Sequence, residues 1–143
     1  QELNKYSKNN VKFTFTPHLS PMFRGILSTI YLNVKNEVSI RKINSELKSF
    51  YKKDKFVKIL PVNSLISTND VINTNYCYVS VCKTANKNKL IILSAIDNLI
   101  KGGAGQAVQN LNYYFGYNDK KDYYEKYNFY IILIYLFIFM HVI

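Results

Sequence analysis

The sequence predicts an α+β domain: a mixed, largely antiparallel sheet with helices packed on it, followed by an apolar C-terminal tail. Three observations carry this. Residues 24–34 and 75–83 alternate with period two, the pattern of strands. Residues 90–93, Leu-Ile-Ile-Leu, form a continuous apolar run that suits a strand buried on both faces. Two segments carry apolar residues at helical spacing instead: Ile40, Ile43, Leu47, Phe50 and Tyr51 in one, and Ala104, Ala107, Val108, Leu111 and Phe115 in the other.

Taken in order, Thr14 and Thr16 alternate with Phe13 and Phe15, which predicts a strand over 11–16. Pro17 and Pro21 each remove a backbone donor and fix φ, so the segment between them is neither a ladder strand nor a helix. The strand over 24–34 puts Ile26, Ser28, Ile30, Leu32 and Val34 on one face and Leu27, Thr29, Tyr31 and Asn33 on the other. A turn at Asn36 and Glu37 precedes a helix capped by Ser39. A short strand over 56–60 ends at Pro61, and the Asn-, Ser- and Thr-rich residues 61–73 read as a loop with room for a brief strand. The strand over 75–83, the turn 84–88 and the run 90–93 predict an antiparallel hairpin. The last helix follows Gly102, Gly103 and Gly105 and stops at Gly116.

Length and composition set bounds. The 143 residues are enough for one core, and 48% hydrophobic residues exclude a disordered composition. The net charge of +10 is spread along the chain with no Lys/Arg run longer than two residues, so drift toward Lys, Asn, Ile and Tyr accounts for it better than a nucleic-acid footprint. Cys77 and Cys82 lie in one strand on opposite faces, roughly 17 Å apart, too far to bridge. No ligand spacing joins them to His18 or His141, so no metal site is expected, and a reducing cytoplasm fits.

Candidate chemistry concentrates at two places. His18, in the proline-bounded loop, is the only side chain in this half of the chain that titrates near neutral pH. Arg24 follows it, a permanent cation with a planar fork suited to carboxylate or phosphate. A lone His beside proline also occurs as a plain loop residue, and a lone Arg as solvated surface. The second place is the glycine-led helix start, where backbone can approach a ligand and free N–H groups can meet a polar or anionic group. Gly103 and Gly105 lack a small third residue, since Val108 stands there, and no Gly-Lys-Ser/Thr follows. A dinucleotide fingerprint and a P-loop are therefore not indicated, and a close-packed helix is the simpler reading of the turn alone.

The wording of these stretches adds to the chemistry. Thr-Pro-His-Leu-x-Pro-Met-x-Arg-Gly-Ile around His18 resembles the motif of the N-acetyl-gamma-glutamyl-phosphate reductases. Asn75-Tyr-Cys and the run from Ser94 to Asn110 (Ser-Ala-Ile-Asp-Asn-Leu-Ile-Lys-Gly-Gly-Ala-Gly-Gln-Ala-Val-Gln-Asn) resemble a second block of that family, in the same order and spacing. The resemblance covers roughly residues 1–117, and it implies a fold like the C-terminal domain of semialdehyde dehydrogenases. It also implies an NADPH-dependent reduction of N-acetyl-gamma-glutamyl phosphate to N-acetylglutamate 5-semialdehyde and phosphate, in arginine biosynthesis and in the cytoplasm. His18 is then the acid/base, and Gln106 and Gln109, with Asn98 next, are the candidates to reach the nicotinamide of NADP; Arg24 as the substrate clamp rests on its chemistry. A homo-oligomer, dimer or tetramer, is implied as well.

The family's basic residue and glycine in the loop after residue 61 are replaced here by Asn69 or Asp70 and by Asn73. Its Asn-Pro-Gly-Cys nucleophile motif does not occur in this sequence, and neither Cys77 nor Cys82 sits beside such residues. The chain opens on Gln1-Glu2-Leu3, which reads as the middle of a family helix and predicts a piece of a longer enzyme, inactive alone. The expected organisation is a substrate-binding and dimerisation domain over 1–117 and a non-family apolar tail over 118–143. The unbroken apolar run 129–140 is shorter than the roughly 20 residues a spanning helix needs. It leaves three readings: an unrelated extension, a docked helix, or a membrane anchor. Two other functions stay open on sequence: a small basic membrane-associated or binding module, and a non-functional remnant.

Overall fold

The computed structural model describes residues 12, 14–34 and 39–117. Within them, strands β1 (Ile26–Asn33), β2 (Val57–Ile59), β3 (Cys77–Lys83) and β4 (Lys89–Ile96) form one sheet in the order β1-β4-β3-β2. Strand β4 pairs antiparallel with β1 on one side and β3 on the other, while β2 joins β3 in parallel. Helix α1 (Ile40–Phe50) packs against β3 and β2, and helix α2 (Gly105–Phe115) follows a π-helical turn, Ile100–Ala104. The fold is the predicted one, a mixed and largely antiparallel sheet with two helices.

The apolar run 90–93 sits in the central strand β4, where both neighbours are strands. Along it, Leu93 and Ala95 lie on one face and Ile96 on the other. Ala95 is fully buried with Ile66 and Val71, and Leu60, Tyr78 and Leu93 pack around them. The core therefore lies between the sheet and the 61–73 loop, which carries Ile66 and Val71. That loop holds a 3-10 turn, Thr68–Asp70, rather than a brief strand. The Ser67 side chain accepts from Asn69 N–H, and Asp70 accepts from Ser67 N–H, so a capping box fixes the turn.

On the opposite face, the π-helical turn lies over Ile96. A Cβ added to Gly102 would stand 3.3 Å from Ile96 Cδ1 and 4.0 Å from Ile26 Cδ1, the two residues that pair across β1 and β4. Gly116 ends α2 in the left-handed conformation at φ 69°, and Tyr117 N–H closes back on Asn112 O, as expected of a glycine stop.

Four local expectations are corrected. Residues 12 and 14–16 are not in a strand; β1, the sheet's near edge, pairs with β4, and Phe15 finds no ladder partner and is exposed. Ser39 occupies the N-cap position of α1 but makes no side-chain cap. Phe50 is 77% exposed, edge-on to Tyr51, and Asn44 is the buried residue of α1 because its Nδ2 donates to Leu60 O at 2.8 Å. In α2 the buried face is Gly105, Val108 and Asn112, with Leu111 and Phe115 exposed. Its last aromatics contact one another, Tyr114 edge-on to Phe115 and Phe115 stacked on Tyr117. Cys77 and Cys82 are free; Cys77 meets Ser94 Oγ, and Cys82 meets Ser80 Oγ and Ser64 O. The 118–143 tail and residues 1–11 lie outside the described residues.

Candidate functional site

Strand β4 ends at Ile96, and the next side chain, Asp97, is fully buried at 0% exposure. A carboxylate there needs donors on every lone pair it presents. Local backbone supplies two: Leu99 N–H at 2.8 Å and Ile100 N–H at 2.9 Å, both to Oδ1. Asn73 N–H reaches Oδ2 at 2.8 Å from the loop over the core. Arg24 Nε bridges both oxygens, at 2.9 Å to Oδ1 and 2.8 Å to Oδ2. Burial pushes the Asp97 pKa up, but the bonds from Ile100, Asn73, Arg24 and Leu99 outweigh it and hold the group below its ordinary value of 3.8.

The same node fixes the end of the His18 loop. Arg24 Nη1 also donates to Asn73 Oδ1 at 3.1 Å, and Gly25 N–H donates to Asn98 Oδ1 at 2.8 Å. Two successive residues, Arg24 and Gly25, are thus bound to two successive residues, Asp97 and Asn98, beside the first β1–β4 pair. Gly25 has no alternative residue: its φ is +106°, and a Cβ would lie 2.7 Å from Thr68 Cβ. Asn73 adopts φ 62°, a left-handed conformation that asparagine tolerates better than most residues.

The predicted site residues fall into three groups. Arg24 and Asn98 are brought together through this node. Gln106 and Gln109 lie on α2, where Gln106 Nε2 donates to Asn110 Oδ1 at 2.9 Å and Gln109 Oε1 accepts from Lys101 Nζ at 2.7 Å. The amide acceptor of Gln106 and the amide donors of Gln109 are left over among the described contacts. His18 joins neither group: its ring is exposed, and Nδ1 stands 3.1 Å from Thr16 O.

The expected free N–H groups at the glycine-led helix start are not free. Gly102 N–H donates to Asp97 O, Ala104 N–H to Leu99 O, and Gly105 N–H to Gly103 O and Ile100 O. A separate helical turn precedes the helix, broken from it by a kink at Gly103 (φ −146°, ψ −111°), and the anion at the start of that turn is the chain's own Asp97. Sequence reasoning quoted Asp97 and Asn73 but gave neither a role. The signal was the Asp itself: a short acidic side chain after a buried strand and before a helix is a cap for the N–H groups two and three residues on.

Among the described residues no group of three or more His, Cys, Asp or Glu could hold a metal, and no helix is long and apolar enough to cross a membrane.

A family model described as semialdehyde dehydrogenase, dimerisation domain, matches residues 1–98, which include His18, Arg24, Asp97 and Asn98. The chain is 48% identical over 121 residues to the N-acetyl-gamma-glutamyl-phosphate reductase of Clostridium kluyveri, an alignment covering 85% of this chain and 35% of that protein. It is 47% identical over 116 residues to the reductase of the same name from Desulforamulus reducens, covering 81% and 34%. With that of a Thermoanaerobacter species it shares 43% over 119 residues, covering 83% and 35%. The chain spans about a third of the length of the curated relatives it matches. With its model matched over residues 1–98 of 143, the chain belongs to the semialdehyde dehydrogenase dimerisation-domain family.

Proposed function

We propose that this chain is the substrate-binding and assembly-forming part of an NADPH-dependent reductase that converts N-acetyl-gamma-glutamyl phosphate to N-acetylglutamate 5-semialdehyde and phosphate, a cytoplasmic step of arginine biosynthesis. The observation that carries the reading is the 48% identity over 121 residues to a reductase of that name. The anchored loop supports it: the segment carrying the family's His and Arg is bound at its base to the turn that starts α2.

Reduction of an acyl phosphate through a cysteine thiolate needs two proton movements. One proton leaves the thiol, and one reaches the carbonyl oxygen as hydride arrives at its carbon. An exposed imidazole in a proline-bounded loop suits both, and His18 is assigned that role. The thiol and most of the nucleotide site come from polypeptide outside this sequence, which contains no Asn-Pro-Gly-Cys. Arg24 has Nε and one Nη1 proton committed to Asp97 and Asn73, so its remaining guanidinium protons are those available to the substrate's phosphate or carboxylate. NADPH, when bound, supplies the hydride, and Gln106, Gln109 and Asn98 would meet its carboxamide. The residues 1–117 form the working domain, and 118–143 is an addition to it.

A chimera tests this. Residues 1–117 replace the matching region of the Clostridium kluyveri reductase, and NADPH oxidation is followed with N-acetyl-gamma-glutamyl phosphate. Turnover by the chimera and none by the chain alone is the expected pair of results. A folded, NADP-binding chimera without turnover would refute the reading.

A further inference from the structure

The turn that begins at Asp97 and Asn98 runs on to Lys101, and Lys101 ties it to α2. Its Nζ donates to Gln109 Oε1 at 2.7 Å, eight residues along the chain and across the kink at Gly103. The same ammonium stands 5.6 Å from the ring centroid of Phe56, a buried residue at the entry to β2. Ring face and amide oxygen together hold the cation in one place. The chemistry of the pair then fixes the amide. An ammonium has three donors and no acceptor, so Gln109 turns its oxygen to Lys101. Its NH2 is turned away, and no contact among the described residues uses either proton. Gln106 is not fixed in this way: its partner is Asn110, and a pair of amides can be reversed at both ends. A bond that only pinned α2 to the turn would be stronger with a carboxylate at 109. A neutral amide answers the cation and keeps two donors for something else.

We infer that Lys101 is a positioning residue for the cofactor. It holds Gln109 as a hydrogen-bond donor, so the ligand atom that Gln109 meets is an acceptor: for a nicotinamide, the carboxamide oxygen and not its NH2. The inference rests on the reading above, that Gln109 faces NADPH, and adds the polarity of the contact and the residue that sets it. The turn suits the task. Asp97 and Asn98 at its start bind Arg24 and Gly25 of the His18 loop, so the element that orients Gln109 is the one that anchors the loop.

The first test uses the full chain. The side-chain amide resonances of Gln109 are expected to move on Lys101→Met; unmoved resonances deny the bond and overturn the inference. The second measures binding by calorimetry in the chimera described above, without substrate. Two ligands are used: NADP+ and its 3-acetylpyridine analogue, which keeps the carbonyl oxygen and lacks the NH2. Losing one positioned hydrogen bond weakens binding about 3- to 10-fold. Lys101→Met is expected to cost that factor for both ligands, Lys101→Arg to restore most of it, and Lys101→Met to change nothing further in a Gln109→Ala background. In turnover the loss appears in KM for NADPH, with kcat held within about two-fold. A plain structural role would lower the urea midpoint and leave both affinities alone. Unchanged affinity, a loss confined to NADP+, or an equal loss in the Gln109→Ala background overturns the inference; the last means that the ammonium meets the cofactor itself. If Lys101→Met does not fold, Gln109→Ala decides: equal loss for both ligands supports the inference, and loss for NADP+ alone overturns it. A chimera that shows this binding pattern without turnover leaves Lys101 in place and refutes the reaction. One that turns over with unchanged affinities does the reverse, and a folded chimera that binds neither ligand overturns both.

Discussion

Replacing Asp97 by asparagine keeps the side-chain shape and removes the charge at the node that binds the His18 loop to the sheet. The new amide would point an NH2 group either at Asn73 N–H or at Leu99 and Ile100 N–H, donor against donor, and would leave Arg24 without its carboxylate. Asp97 is fully buried and Arg24 is half-buried, with 17% of its side chain exposed. Breaking a buried pair on one side costs about 4 kcal/mol. With a urea slope of about 2 kcal/mol/M, the unfolding midpoint of the isolated chain falls by about 2 M. The loss also depends on pH in a fixed direction. The folded-state pKa of Asp97 lies below its ordinary value of 3.8, so the carboxylate stabilises the fold fully above that value. That contribution disappears as pH falls through the folded value, and the gap between wild type and Asp97→Asn narrows from about pH 5 downward. Urea titrations of both proteins across this range measure it. A midpoint change under about 0.3 M at neutral pH, or a gap that stays constant into acid, would refute the account of the node.

Three further substitutions probe separate parts of the fold by the same assay. Gly25→Ala forces a Cβ to 2.7 Å from Thr68 Cβ at φ +106° and is expected to cost about 2–4 kcal/mol, where a neutral result would deny the close approach. Asn44→Ala leaves Leu60 O without its donor beneath α1, at a cost of about 1–3 kcal/mol. Val71→Ala removes two buried methyl groups from the core under the 61–73 loop and costs about 2 kcal/mol, whereas a change below about 0.5 would show that the loop is not part of the core.

The sheet was legible because its signals are local. A run of four apolar residues with strands on either side is central by composition alone, and Gly116 stops a helix by conformation alone. The misreadings arise where a neighbour distant in sequence decides. Phe50 and Leu111 fit their helical stripes, yet the sheet does not reach them, and Asn44 is buried instead because Leu60 O sits above it. Ile66 and Val71 lie in a polar-looking loop, and only the tertiary fold shows that this loop covers Ala95. At the candidate site the two motifs were readable, but that Arg24 and Gly25 meet Asp97 and Asn98 was not. What binds them, Asp97, was hidden because a single acidic residue becomes a node only when Arg24 and Asn73 arrive from 73 and 24 residues away. The reading of the glycines as a ligand cradle gave way for the same reason: Asp97 and the preceding carbonyls already use those amides.

The claim at the centre of the account is that this domain brings the proton-transferring imidazole to the reaction. The measurement is kcat and KM for N-acetyl-gamma-glutamyl phosphate in the chimera, with and without His18→Ala. Among the described residues the exposed ring meets only Thr16 O, within its own loop, so stability is expected to stay unchanged while kcat falls by about 10²–10⁴-fold and KM moves only a few-fold. An unchanged kcat would contradict the account.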